Sequence, residues 1–197
     1  MRKIYYMMGK SSTGKDTLYK RILDDERLQL KTVVMYTTRP VRAGETDGVE
    51  YFFCDESKVA ELSATGKIIE RRDYHTVLGI WTYFTADDGQ IDLKIQDYLI
   101  IGTLESYQKT REYYGRDAVV PIYIEVEDGE RLARALARER QQDVPKYEEM
   151  CRRFLADAKD FSEEKLKEAG IDRRFVNENL EETEAAIKAF ILEQKEK

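Results

Sequence analysis

Cysteine, histidine, tryptophan and proline are all scarce in this chain, numbering 2, 1, 1 and 3 among 197 residues. Cys54 and Cys151 stand far apart without metal-ligand spacing. With His75 the only histidine, the chain has no Cys/His cluster from which to build a zinc site. A reducing, cytoplasmic compartment fits such cysteine usage. No segment approaches the roughly 20 apolar residues of a membrane span, and the apolar run at the N-terminus is too short for a signal-peptide core. A positive charge excess is also lacking. The net charge of −6 describes an acidic protein that is no general nucleic-acid binder, so any anion site depends on local clusters of arginine and lysine. What is present is enough apolar material, 42%, to build the core of one compact domain, with small lobes at most.

The most informative stretch is Gly9-Lys10-Ser11-Ser12-Thr13-Gly14-Lys15-Asp16-Thr17, directly behind the apolar run Ile4-Tyr5-Tyr6-Met7-Met8. Glycine, four residues, then Gly-Lys is the spacing of a phosphate-binding loop. Its backbone turns tightly enough to aim several N–H groups at one phosphate chain, and Lys15 adds a charge that reaches the outer phosphates. A strand before the loop and a helical pattern after it, with Leu18, Ile22 and Leu23 at helical spacing, supply the context the motif needs. The expected helix would also turn its positive end toward the same anion. The residue after the lysine normally offers a hydroxyl to Mg²⁺; here it is Asp16, and the hydroxyl follows at Thr17.

Further along, helical spacing predicts a helix from Lys15 to about Leu28. A β-branched run from Lys31 to Thr38 predicts a strand. Arg39 to Phe53 forms a shaped loop entering a short strand. A short helix is expected over Asp55–Ala64, then strands at Ile68–Glu70 and Val77–Phe84 in a small separate sheet. The main sheet resumes with Tyr98-Leu99-Ile100-Ile101, followed by a helix over Leu104–Tyr114 and a strand over Val119–Val126, where Pro121 points to an edge or a bulge. Helices at 131–142 and 146–161 flank the break Asp143-Val144-Pro145, Phe175-Val176 is a candidate last strand, and Leu180–Gln194 carries an apolar stripe. Strand and helix alternating behind a phosphate loop indicate an α/β fold, the three-layer P-loop NTPase arrangement with a parallel central sheet and ligands at the carboxyl ends of its strands.

A second constellation lies in Thr37–Tyr51. Arg39 and Arg42 are three apart and close to Tyr51, so two guanidinium forks and a phenol can converge on one phosphate, with Glu45 holding an arginine in place. A third is the arginine series Arg131, Arg134 and Arg138 at helical spacing, with Arg140 just beyond and Arg152-Arg153 after the break. Basic residues on a hinged helical pair would close over a triphosphate, neutralise charge on the transferred phosphoryl group and exclude water. The same series also suits an exposed helix face paired with Glu130 and Glu139.

Thr37 to Phe53, TTRPVRAGETDGVEYFF, resembles the monophosphate-binding segment of guanylate kinases, and the order of phosphate loop, acceptor segment, base-reading strand and arginine-bearing lid is the order of that family. The resemblance spans most of the chain and is strongest from residue 4 to about 53. It implies one guanylate kinase-like domain: a core of about 1–36, 98–130 and 162–197, a β-rich monophosphate-binding part of about 37–97, and a helical lid of about 131–161. It also implies ATP with Mg²⁺ as donor and a nucleoside monophosphate, GMP favoured, as acceptor, in a monomer or homodimer. Gly9, Ser11, Ser12, Thr13, Gly14, Lys15, Asp16 and Thr17 would hold ATP, with Asp16 and Thr17 nearest the metal. Arg39, Arg42, Glu45 and Tyr51 would hold the acceptor phosphate. Glu70 falls where the family reads guanine, and an ionised carboxylate can indeed accept from N1–H and the 2-amino group together. Lys15, Arg153 and either Arg138 or Arg140 would act on the transferred group.

Four departures from the family pattern accompany this. Met35 replaces a small hydroxyl residue, Leu78 and Ile80 replace polar residues around Gly79, Gly102-Thr103-Leu104-Glu105 stands where a strand end supplies aspartates, and Asp16 replaces Ser/Thr. Thr103 and Glu105 either stand in for those aspartates or begin a helix. The depleted pocket leaves open a second possibility, a guanylate kinase-like binding module without turnover.

Overall fold

The structure is a computed structural model, and it describes residues 2–42, 44–76 and 79–196. Its first sheet is parallel throughout and ordered β2 (Leu30–Lys31), β7 (Asp97–Gly102), β1 (Ile4–Met8), β8 (Val119–Glu125), β9 (Arg174–Val176). All five residues of β1 are buried, as a central strand covered on both faces requires. Ile4, Tyr6 and Met8 pack with Ile100, Leu104, Tyr107 and Phe161, whereas Tyr5 and Met7 face Leu18, Ile22, Ile187 and Ile191. The first group lies under α3 (Leu104–Tyr114), the second under α1 (Lys15–Leu23) and α7 (Leu180–Glu196), which makes three layers. The tyrosines of this strand stay satisfied although buried: Tyr6 Oη donates to Ser106 Oγ at 2.8 Å and Tyr5 Oη to the Ile191 carbonyl at 3.3 Å.

The second sheet is ordered β4 (Phe52–Phe53), β3 (Tyr36–Thr37), β6 (Gly79–Ala86), β5 (Ile68–Thr76). Its strands are antiparallel except for β3 with β4. Helix α2 (Glu56–Ala64), capped by Asp55 accepting from the Lys58 N–H, covers it with Val59 and Leu62 against Phe84 and Ala86. Beyond β8 come α4 (Asp128–Glu139), α5 (Tyr147–Asp160) and the one-and-a-half-turn α6 (Glu163–Glu168), which Ser162 caps.

Three details differ from what the sequence predicts. The run Lys31–Thr38 is no single strand. Lys31 pairs with β7, Tyr36 and Thr37 pair in the other sheet, and between them the Gln90 side chain bonds both the N–H and the carbonyl of Val34, so the crossing segment keeps its backbone satisfied without a ladder. Helix α1 stops at Leu23, and a 3₁₀ turn at Glu26–Leu28, capped by Asp25, finishes the segment. Pro121 is on an interior strand, not an edge one. However, β9 pairs β8 only along Tyr123–Glu125, so that flank of Pro121 meets no strand and the missing N–H leaves no gap in the ladder.

Candidate active site

Strand β1 delivers the phosphate loop to the carboxyl end of the sheet's middle. Two glycines there are fixed by space. A Cβ at Gly9 would lie 2.5 Å from the Ile124 carbonyl, and one at Gly14 would lie 2.6 Å from Asn177 Nδ2, with Gly14 also at φ +81°. Ser12 takes φ +64° without being glycine, a local strain of about 1 kcal/mol or more. The turn is braced from within, Thr13 Oγ1 donating to the Lys10 carbonyl at 2.9 Å, and from far along the chain, Asn177 Nδ2 donating to the Thr13 carbonyl at 2.7 Å. Lys15 opens α1. Its Nζ rests 3.4 Å from a carboxylate oxygen of Asp16, whose side chain is 79% exposed.

The helical pair α4 and α5 leans over this loop. Arg138 Nη2 reaches Ser12 Oγ and Arg153 Nη2 reaches Ser11 Oγ, each at 3.4 Å, the long end of a hydrogen bond. The two arginines line a pocket of about 130 Å³ with Ser11, Ser12 and Phe154. Arg140 is exposed at the C-terminal cap of α4 and does not line that pocket. Arg131, first in the same series, points inward instead and is 1% exposed. It donates to the Ser11 carbonyl at 3.0 Å, pairs with Asp128 at 2.5 Å and Asp157 at 3.3 Å, and lies 4.8 Å over the Phe154 ring. Asp157 in turn accepts the Ser11 N–H at 2.7 Å. Sequence spacing did not single out Asp157 or Asn177. They meet the loop across 146 and 164 positions, separations over which no local pattern operates.

On the second sheet, Arg39 is buried beside Glu45. Its Nη1 and Nη2 donate to the two Glu45 oxygens at 2.7 and 2.5 Å, and its guanidinium stacks 5.2 Å from the Tyr51 ring. Hydrogen bonds from Arg39, then from the Arg42 N–H, hold the Glu45 carboxyl down at about 2. The Arg42 side chain is exposed. Glu70 has no exposed side-chain surface; Arg72 pairs with it at 2.9 Å, and Thr85 Oγ1 donates to it at 2.9 Å. Between the second sheet, the loop and the helical pair runs a cleft of about 910 Å³, lined by Gly9 and Lys15 of the loop, Arg72 and Tyr74 of β5, Glu105 of α3 and Arg153 of α5. Arg39, Arg42, Tyr51 and Glu70 are not on its wall in this arrangement.

The family model described as Guanylate kinase matches residues 1–83. The guanylate kinase of Mycoplasmoides gallisepticum is 27% identical over 194 residues, 96% of this chain and 91% of that protein. That of Schizosaccharomyces pombe is 42% identical over 64 residues, 32% of each. The crystal structure of guanylate kinase from Anaplasma phagocytophilum matches all of this chain and 87% of its own, with a TM-score of 0.65 and 25% identity. Each of these likenesses is to a guanylate kinase.

The structure gives physical reasons for some of the ways this chain departs from the guanylate kinase pattern it resembles. Nothing larger than glycine fits at 102, because a Cβ there would lie 2.3 Å from Tyr6 Oη and 2.7 Å from Ser106 Oγ. Thr103 caps α3 in a reciprocal box with Ser106, and Glu105 pairs with Lys109 on the helix surface, so this segment begins a helix. Met35 Sδ is 3.9 Å from Arg72 Nη2. Ile80 is exposed on β6. Leu78 lies outside the described residues. Asp16 and Thr17 are exposed on the first turn of α1, and no group of three or more acidic, Cys or His side chains gathers as a metal cage among the described residues. That donor set fits Mg²⁺, which keeps several waters and is held by one or two carboxylates plus substrate phosphates. No helix among the described residues is long and apolar enough to cross a membrane.

Proposed function

We propose that this protein is a cytoplasmic kinase that transfers the γ-phosphoryl group of ATP to GMP. The observation that carries this is the approach of Arg138 and Arg153 from the helical pair onto Ser12 and Ser11 of a lysine-bearing phosphate loop, in a chain similar to guanylate kinases. ATP phosphates occupy the loop from Gly9 to Thr17, meeting its backbone N–H groups, the positive end of α1 and Lys15 Nζ. Asp157 now accepts the Ser11 N–H, so donor entry exchanges a carboxylate for a phosphate oxygen at that amide. Asp16 and Thr17 are the residues that would hold Mg²⁺, which when bound neutralises phosphate charge.

Acceptor phosphate is held on the second sheet by Arg39, Arg42 and Tyr51. Glu45 fixes the Arg39 fork through its bidentate pair and cannot swing away without unpairing a buried guanidinium. The base end is Glu70 with its partner Arg72. Arg72 is on the cleft wall but Arg39, Arg42, Tyr51 and Glu70 are not, so the second sheet closes toward the loop when both substrates bind. Catalysis is then positioning and charge stabilisation by Lys15, Arg138 and Arg153, with water excluded and no covalent intermediate.

An ADP-release assay with ATP·Mg²⁺ and a panel of GMP, AMP, CMP and UMP tests this. ADP release that requires GMP is the expected result. If no monophosphate stimulates release and ATP does not bind, the proposal fails. ATP binding without turnover would point to the non-catalytic module.

A further inference from the structure

Glu70 and Arg72 are two apart on β5, and side chains at that spacing leave the same face of a strand. Their pairing is side-on: Nε donates to Oε2 at 2.9 Å and Nη2 to Oε1 at 3.2 Å, while Thr85 Oγ1 also donates to Oε1. A carboxylate offers roughly four acceptor positions, and three are taken here. The Glu70 side chain has no exposed surface, whereas Arg72 keeps 12%, and it is Arg72 that lines the cleft. Met35 Sδ rests against Nη2 at 3.9 Å, steadying the guanidinium from a second side. The side-on geometry leaves the Nη1 amino group outside the pair. The member of the pair that meets the cleft is therefore a donor, although the sequence pattern promises an acceptor.

We propose that Arg72 determines base specificity, donating to the O6 and N7 acceptors of a 6-oxopurine monophosphate, while the 2-amino group goes unread. This rests on the proposed GMP kinase function and sharpens its substrate class. Guanine and hypoxanthine share the O6/N7 acceptor pair that suits a guanidinium, whereas adenine places an amino donor at position 6. Donor against donor excludes adenine, since each group would be desolvated without a partner. Glu70, held by Arg72 and Thr85 and without exposed surface, acts as a positioning residue. An open carboxylate would instead require both N1–H and the 2-amino group, and would reject hypoxanthine.

Steady-state phosphorylation of GMP, inosine monophosphate and AMP by the wild-type chain with ATP·Mg²⁺ reads this directly. The kcat/KM for inosine monophosphate is expected within about tenfold of that for GMP, and that for AMP at least about a hundredfold below both. Inosine monophosphate more than tenfold below GMP, or AMP within a hundredfold of it, overturns the inference alone. Failure to phosphorylate any of the three overturns the proposed function and takes the inference with it. Arg72→Met keeps the stem and opens Glu70, so inosine monophosphate should fall at least about tenfold relative to GMP; an unchanged ratio counts against the idea. Because that variant leaves Glu70 buried and unpaired, Glu70→Gln provides a milder companion. It retains an acceptor for Arg72 and should hold the ratio and the exclusion of AMP within about threefold of wild type, whereas collapse of the 6-oxopurine preference in it would overturn the assignment.

Discussion

Replacing Arg131 by methionine removes a buried guanidinium while keeping most of its apolar stem. Four interactions go at once. The hydrogen bond to the Ser11 carbonyl is worth about 1 kcal/mol. The contact with Asp157, whose side chain is 18% exposed, is charge-assisted and worth about 1.5–3 kcal/mol. The Phe154 stack adds about 0.5–2 kcal/mol. Asp128 is half exposed, so water screens that pair and its loss counts for little. Together the variant should lose about 3–6 kcal/mol. At about 2–4 °C per kcal/mol for a chain of this size, its melting temperature should fall by at least roughly 6 °C. Thermal unfolding followed by circular dichroism measures the shift, and ATP affinity by titration calorimetry measures whether the loop loses shape, since Arg131 and Asp157 together hold both backbone polar groups of Ser11. A melting temperature within about 3 °C of wild type would mean that Arg131 does not bear on stability as argued, whatever the affinity does.

Lys15→Met should cut kcat by about a hundredfold or more, because the lysine is placed to meet charge; retained turnover refutes its role. Arg138→Ala and Arg140→Ala should separate, the first lowering kcat by about a hundredfold and the second leaving it within about threefold, since only Arg138 reaches the loop; equal losses would refute the distinction. The Glu45 carboxyl sits at about 2, below its ordinary 4.5, so the stability it lends is complete above about pH 4.5 and is lost as pH falls toward 2. Glu45→Gln should therefore flatten the dependence of denaturation midpoint on pH across that window, and a parallel slope counts against the clamp. Gly102→Ala should cost about 1–3 kcal/mol in chemical denaturation through collision with Tyr6 Oη, part of which Tyr6→Phe in the same chain should recover.

The parallel core was legible because buried strands read as continuous apolar runs, and Ile4–Met8 and Tyr98–Ile101 are such runs. The loop was legible because glycine is demanded by backbone geometry at Gly9 and Gly14, which leaves a fixed spacing in the sequence. Arginine periodicity in α4 misleads in one respect. Arg131, Arg134 and Arg138 share a stripe, yet Arg131 is buried because its partner carboxylate, Asp157, comes from the next helix. Lys31–Thr38 misleads for a related reason, as β-branched residues favour extended backbone but do not say which sheet receives it. The Glu70–Arg72 pair did have a local signal, since residues two apart on a strand share a face. Its importance still depended on Thr85 and on which of the two side chains meets the cleft.

Asn177 gives the phosphate loop a dependence on time as well as space. The stretch that matches the family model, residues 1–83, contains the whole loop but neither flanking partner of β1, since β7 and β8 both follow it. The loop's last brace comes from a residue 164 positions further on. As the chain is synthesised, the most recognisable part emerges first and gains its last brace late. A fragment ending near residue 83 would carry the most recognisable part of the sequence but lack both strands that flank β1 and the brace from Asn177.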